Sequence, residues 1–217
     1  MSHTAVSHPA HPGVPAAPGT RPLVAAVLAA WFVLVAFLGA RGAFVTPPGS
    51  PPLAILAGVL APILGFLAAL RLSGTFRDHV LAADLRFMMG VQAWRFAGLG
   101  FIALYAHGVL PGLFAWPAGL GDIAIGVTAP WLLVALIRRP GFAASRTFVA
   151  WNVLGILDLV VAVGTGTLAS FLASGVPGEV TTGAMARLPL VLVPAYFVPL
   201  FVMLHVAALL QARRPGF

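Results

Sequence analysis

The sequence predicts an all-α fold: a polytopic integral membrane protein with six transmembrane helices in one bundle and both termini in the cytoplasm. Three observations lead there. Of 217 residues, 60% are hydrophobic and only 8% charged, with a mean hydropathy of +1.03. A soluble domain carries about 25% charged residues and needs them to cover its surface. Six apolar runs approach the ~20 residues that cross a bilayer. The basic residues, finally, gather at one end of those runs.

Residues 1–21 are polar, rich in Pro, Ala and His, and without hydrophobic period. They read as a disordered tail ahead of a transmembrane domain over residues 22–217. The first span is Pro22–Ala40, between Arg21 and Arg41. A signal peptide has a similar outline, and Gly39 to Ala43 offer small residues for cleavage. This run is long for such a segment, however, and more spans follow, so it reads as an uncleaved helix.

The remaining spans are Leu53–Leu70, Phe87–Leu110, Trp116–Ile137, Phe148–Leu172 and Leu188–Leu210. Turn residues separate them: Thr46-Pro-Pro-Gly-Ser-Pro-Pro52, Leu110-Pro-Gly112, Arg138-Arg-Pro-Gly141 and Gly175-Val-Pro-Gly178. Between the second and third, Thr75 to Phe87 carries Phe76, Val80, Ala83 and Phe87 at helical spacing beside Arg77, Asp78, Asp84 and Arg86. That pattern suits either a short helix in the membrane interface or a plain extension of the third span. Pro189, Pro194 and Pro199 break the start of the sixth span, and Pro130 interrupts the fourth.

A faint repeat accompanies these spans. Ala30-Trp31, Ala93-Trp94 and Ala150-Trp151 fall in odd-numbered spans, and Arg138-Arg-Pro-Gly-Phe142 recurs as Arg213-Arg-Pro-Gly-Phe217. Three parallel hairpins would explain it, as would chance in so alanine-rich a chain.

All twelve basic residues are arginine. Arg21, Arg71, Arg77, Arg86, Arg138, Arg139, Arg146, Arg213 and Arg214 fall on the side of the termini, Arg41 and Arg187 on the other, and Arg95 within a span. The positive-inside rule then orients the chain. The net charge of +7 reflects that orientation rather than nucleic-acid binding, which needs a clustered basic face. With no cysteine, disulfides and thiol chemistry are excluded. Arginine without lysine, with much Ala, Gly and Pro, matches a high-GC bacterial genome, so the expected location is the bacterial cytoplasmic membrane, multi-pass.

The chemistry lies in polar groups that lipid disfavours. A charge near the bilayer centre costs about 2.5–3.5 kcal/mol and normally faces a partner or water. At a rise of 1.5 Å per residue, Arg95 lies about 14 Å from the cytoplasmic edge, Asp158 about 18 Å and Asp122 about 21 Å. Gln92 and Asn152 at about 9 Å and His205 at about 12 Å form a second polar layer. Gln92, Arg95 and Gly98 recur every three residues, as do Asn152, Gly155 and Asp158, which places each set on one helix face.

Arg95 can neutralise one carboxylate. The other must be protonated, paired with a protonated His205, or matched by a bound cation. Alternatively, the cluster is an ion pair that fixes helix register. Elsewhere, Trp116, Trp131 and Trp151 suit interfacial anchoring. His107 reads as solvated and lies near the face opposite His205, so those two cannot share a haem. His79 and His205 share the cytoplasmic side and could, although no paired-histidine spacing appears, and His3, His8 and His11 read as incidental.

The leading functional reading is a carrier or permease for a proton-linked or cationic small solute. Asp122 and Asp158 bind the proton or cation, Arg95 orients a carboxylate or an anionic substrate group, and Gln92, Asn152 and His205 complete the site. The alternative is a non-catalytic membrane subunit, a substrate-binding or assembly component of a larger complex. Such a subunit, or a homo-oligomer, would dock through Ala25, Ala26, Ala29 and Ala30 of the first helix. A lipid-modifying membrane enzyme ranks third, since nothing sets a nucleophile. No cofactor or metal is expected.

Overall fold

A computed structural model describes residues 20–213, which are all-helical and without strands. Helix α1 is Thr20–Ala40, α2 Leu53–Leu72, α3 Gly74–Leu81 and α4 Leu85–Val91. A 3-10 segment, Gln92–Gly98, runs on into α5, Leu99–Ala106, and α6 spans Gly112–Arg138. Helix α7 is Arg146–Leu172, and a π-helical turn at Val193–Phe197 leads into α8, Val198–Ala212. Six helical stretches are long and apolar enough to cross a membrane: Pro22–Ala40, Leu53–Leu72, Leu85–Ala106, Gly112–Arg138, Arg146–Leu172 and Val193–Ala212. The protein is a multi-pass membrane bundle. Of the tail expected over residues 1–21, Thr20 and Arg21 already belong to α1; residues 1–19, with the three histidines, and the repeated Pro-Gly-Phe at the end lie outside the described residues.

Most span ends fall two to five residues from their expected places, the third ending at Ala106 and the fourth starting at Gly112, and two of these shifts have clear local reasons. The sixth span starts at Val193 rather than Leu188, because Pro189 and Pro194 withhold backbone donors from the first turns. The third span starts at Leu85, with Asp84 as its N-cap: Asp84 Oδ1 accepts from Arg86 N–H at 2.8 Å and Phe87 N–H at 3.3 Å. That cap separates α3 from the third span, so α3 is a helix of its own. Its inward residues are Phe76, Val80 and Leu81, whereas Ala83 and Phe87 are exposed. Pro130 does not interrupt the fourth span; α6 continues through both Pro117 and Pro130.

Helix α8 is the most enclosed span and α1 and α2 the least. Ala207, Ala208 and Ala212 of α8 pack with Met88 and Met89 of α4, Phe148 of α7 and Ala129 of α6, closing the end of the bundle near Asp84 and Ser145. Gln211 fastens that end, donating to the carbonyls of Val80 and Ala83, both at 3.1 Å. Helix α1 leans on the π-turn: the Tyr196 ring packs at a tilt against Trp31, centroids 4.6 Å apart, and its hydroxyl donates to the Leu28 carbonyl at 3.3 Å. Lipid is as apolar as these side chains, so close fit and interior polar contacts hold such helices together rather than withdrawal from water.

At the opposite end, the loop after α7 folds around Glu179. Ser174 donates to it through its backbone N–H (3.1 Å) and hydroxyl (2.9 Å), and Gly175 through its N–H (2.8 Å). The Ser174 bonds, joined by that of Gly175, hold the Glu179 carboxyl below its ordinary value of 4.5. A depressed folded value stabilises the loop above the ordinary one and is lost as pH falls through the depressed one. We therefore expect the Glu179 carboxyl to titrate by NMR with a midpoint below 4.5, the Ser174 and Gly175 amide shifts changing with it. A midpoint at or above the ordinary value would show the loop open in solution.

Candidate functional site

Arg95 stands at the middle of the bundle, 2% exposed, on the 3-10 segment. A 3-10 helix has three residues per turn, so side chains three apart eclipse. Gln92, Arg95 and Gly98 therefore point the same way, and all three are buried. Asn152, Gly155 and Asp158 face them from α7, with Asn152 and Gly155 fully enclosed.

The Arg95 guanidinium connects four spans. Its Nε donates to Asp122 Oδ1 of α6 at 2.7 Å, and Nη2 donates to Asp158 Oδ2 of α7. Its Nη1 donates to the Gly155 carbonyl at 3.3 Å and to His205 Nε2 of α8 at 3.2 Å. The Phe201 ring lies 5.8 Å from the guanidinium carbon, within cation–π range. A planar fork of five donors suits such a junction, where a lysine would offer only a point charge.

His205 continues the chain toward the α8 C-terminus. A guanidinium only donates, so Nε2 accepts and the ring proton is assigned to Nδ1, which donates to Asn152 Oδ1 at 2.9 Å. Asn152 in turn donates to the Phe148 carbonyl at 2.9 Å. A protonated His205, one expected way of balancing the second carboxylate, is overturned by this contact: it would set N–H against N–H. One arginine thus faces two carboxylates beside a neutral imidazole. With both aspartates ionised, the cluster carries one net negative charge, which a proton or a bound cation balances.

The expected second polar layer is instead continuous with the first, since His205 touches Arg95 directly. Gln92 stands apart from it. Its Nε2 reaches the Phe201 carbonyl only at 3.5 Å, and its Oε1 is buried with no hydrogen-bond partner among the described residues. Trp151 is no interfacial anchor: it is buried, donates to Thr128 Oγ1 at 2.8 Å and meets His205 edge to face at 5.4 Å. Trp116 and Trp131 are exposed on the bundle surface. Among the described residues, the His79 and His107 rings each bond only to the backbone carbonyl four residues back. With both nitrogens of His205 engaged, an axial pair with His79 is not formed.

Gly98, already marked by its spacing, and Gly119, Gly121 and Gly126, which the sequence reading passed over, make this convergence possible. A Cβ on Gly126 would run into the backbone of Arg95 and Phe96, and one on Gly121 into the Asp158 carboxylate. Gly98 and Gly119 lie against each other's carbonyls across the α6 crossing. The signal was present as Ala115, Ala118, Gly119, Asp122, Gly126 and Ala129, small residues at helical spacing around the aspartate.

A cavity of about 550 Å³ extends from the loops at residues 45–48 and 181–187 down to Asp122. Phe101, Phe114, Leu159 and Val198 supply apolar wall, Thr182 a polar one, and Arg187 the exposed rim. Asp122 is the member of the charged cluster that lines it. From Gly112, where α6 starts, the helix descends about 15 Å to reach that aspartate.

Residues 51–213 match the model of a family described as a domain of unknown function (DUF8737). No curated protein and no solved structure matches the chain.

Proposed function

The chain belongs to the DUF8737 family, whose description states no activity, and from its interior we propose a carrier or permease for a proton-linked or cationic small solute. The observation that carries this reading is the unequal charge count at the base of the cavity. Two aspartates share one arginine, the nearby histidine is neutral, and the remaining negative charge is reached from an open vestibule. A pair serving only to lock helix register needs one carboxylate. The second, held within the hydrocarbon depth, is a group to which a proton or cation can bind and from which it can leave. Arg95 holds both carboxylates in position, and His205 and Asn152 hold Arg95.

The arginine distribution supports a bacterial cytoplasmic membrane location with both termini inside. The cavity would then face outward, with the apolar contacts of Met89, Phe148 and Ala208 closing the cytoplasmic end.

The test uses proteoliposomes of the full chain with a trapped pH dye, exposed in turn to sodium, potassium and tetramethylammonium gradients. The wild type should give a cation-dependent change in internal pH or a transport current. We expect Asp122→Asn and Asp158→Asn each to lose it by about tenfold or more. Both variants responding like the wild type would overturn the reading.

A second reading, a membrane subunit acting with partners, draws on α1. That helix precedes the matched family segment, and Ala25, Ala26, Ala29 and Ala30 are all exposed on it. Mass spectrometry of gently solubilised protein would reveal a second subunit or a homo-oligomer.

A further inference from the structure

The vestibule above Asp122 also says what kind of solute it fits. Its volume of about 550 Å³ lies within the range of small-molecule pockets, roughly 300–1,000 Å³. That is far more than a bare metal ion or a proton requires. Its walls are largely apolar, and the aromatic pair Phe101 and Phe114, with ring centroids 5.4 Å apart, lies on one side. The charged groups sit at the two ends, with hydroxyls such as those of Thr182 and Ser170 between them: Asp122 of the net-negative cluster at the bottom, Arg187 at the exposed rim.

Two amphiphiles match apolar walls, and the end charges choose between them. An anionic amphiphile with its head on Arg187 would push an apolar tail onto Asp122. That strips water from a carboxylate and returns nothing. A cationic head instead descends to the carboxylate, supplies the missing positive charge, and leaves its apolar body among the hydrophobic walls. Aromatic faces close by add cation–π attraction.

We propose that the cavity takes a lipophilic organic cation, its single positive head against Asp122 and its apolar body between the Phe101–Phe114 pair and the Leu159 and Val198 walls. This rests on the carrier reading for the net charge of the Arg95–Asp122–Asp158 cluster, and adds the solute class.

The experiment is equilibrium dialysis of tetraphenylphosphonium against the full chain in detergent, with octyl sulfate as the anionic competitor. Saturable binding is expected, weakened about tenfold or more by Asp122→Asn. Ala162 of α7 also lines the cavity and makes no bond to the charged cluster, and Ala162→Phe, which fills that wall, should weaken binding similarly. Arg187→Gln should hold within about twofold, as befits a screened rim charge. Size-exclusion profiles establish that each variant is folded; should Asp122→Asn fail that check, Ala162→Phe decides. The proposal is overturned if the wild type shows no saturable binding or if Ala162→Phe binds as the wild type does. It is equally overturned if octyl sulfate displaces the probe in an Arg187-dependent manner. An aspartate-dependent response to sodium or potassium without tetraphenylphosphonium binding would remove this inference and leave the carrier reading standing. Probe binding dependent on Asp122 without any transport response would do the reverse.

Discussion

Replacing Arg95 by alanine should be the most damaging single change in the chain. The substitution removes the donor shared by Asp122, Asp158, His205 and the Gly155 carbonyl. Two carboxylates are then left in the interior of the bundle with no cation. Breaking a buried pair by deleting one partner costs about 3–5 kcal/mol, and here one deletion strands two partners. The expected result is loss of monodisperse protein in mild detergent, or a large drop in melting temperature. Arg95→Lys should recover only part, because an ammonium cannot address three helices in one plane. Adding Asp122→Asn to Arg95→Ala should restore stability relative to Arg95→Ala alone, since it removes one stranded charge. If Arg95→Ala melted like the wild type, the guanidinium would not be the junction described above.

The second large effect is expected at Gly126. An alanine there would drive its Cβ into the backbone of Arg95 and Phe96, and backbone cannot rotate aside as a side chain can. Overpacking of this sort costs about 1–3 kcal/mol. It should also part α6 from the 3-10 segment, lengthening the Arg95–Asp122 contact. Gly164 on α7 is the control: a Cβ there meets nothing. Gly164→Ala should be neutral or slightly stabilising, because alanine is the better helix former by about 1 kcal/mol. Thermal melts of the two variants in one detergent give the comparison, and equal melting temperatures would contradict the tight crossing.

Much of this architecture was legible in the residues. Six crossings followed from apolar runs and turn residues, and interior charges were conspicuous because lipid makes them costly. The spacing of Gln92, Arg95 and Gly98 marked a shared face, although not the overwound helix that makes the face so narrow. Periodicity also left α3 ambiguous, since the Asp84 cap is a matter of two hydrogen bonds rather than of hydrophobic pattern. Trp151 was misread because an Ala-Trp pair looks the same at the surface and in the core. Its partners, Thr128 and His205, come from distant parts of the chain. The cavity was illegible for the same reason. Its walls are ordinary apolar residues of five spans and two loops, and only their arrangement leaves space.

The 3-10 segment has a mechanical corollary. Such a helix rises about 2.0 Å per residue against 1.5 Å for the α form, and turns about 120° rather than 100°. Seven residues are wound this way, Gln92–Gly98. Rewinding them as α-helix would shorten the third crossing by about 3.5 Å and swivel Arg95 by about 60° relative to Gln92. In this backbone, withdrawing the guanidinium from its aspartates and drawing in the helix are one screw motion.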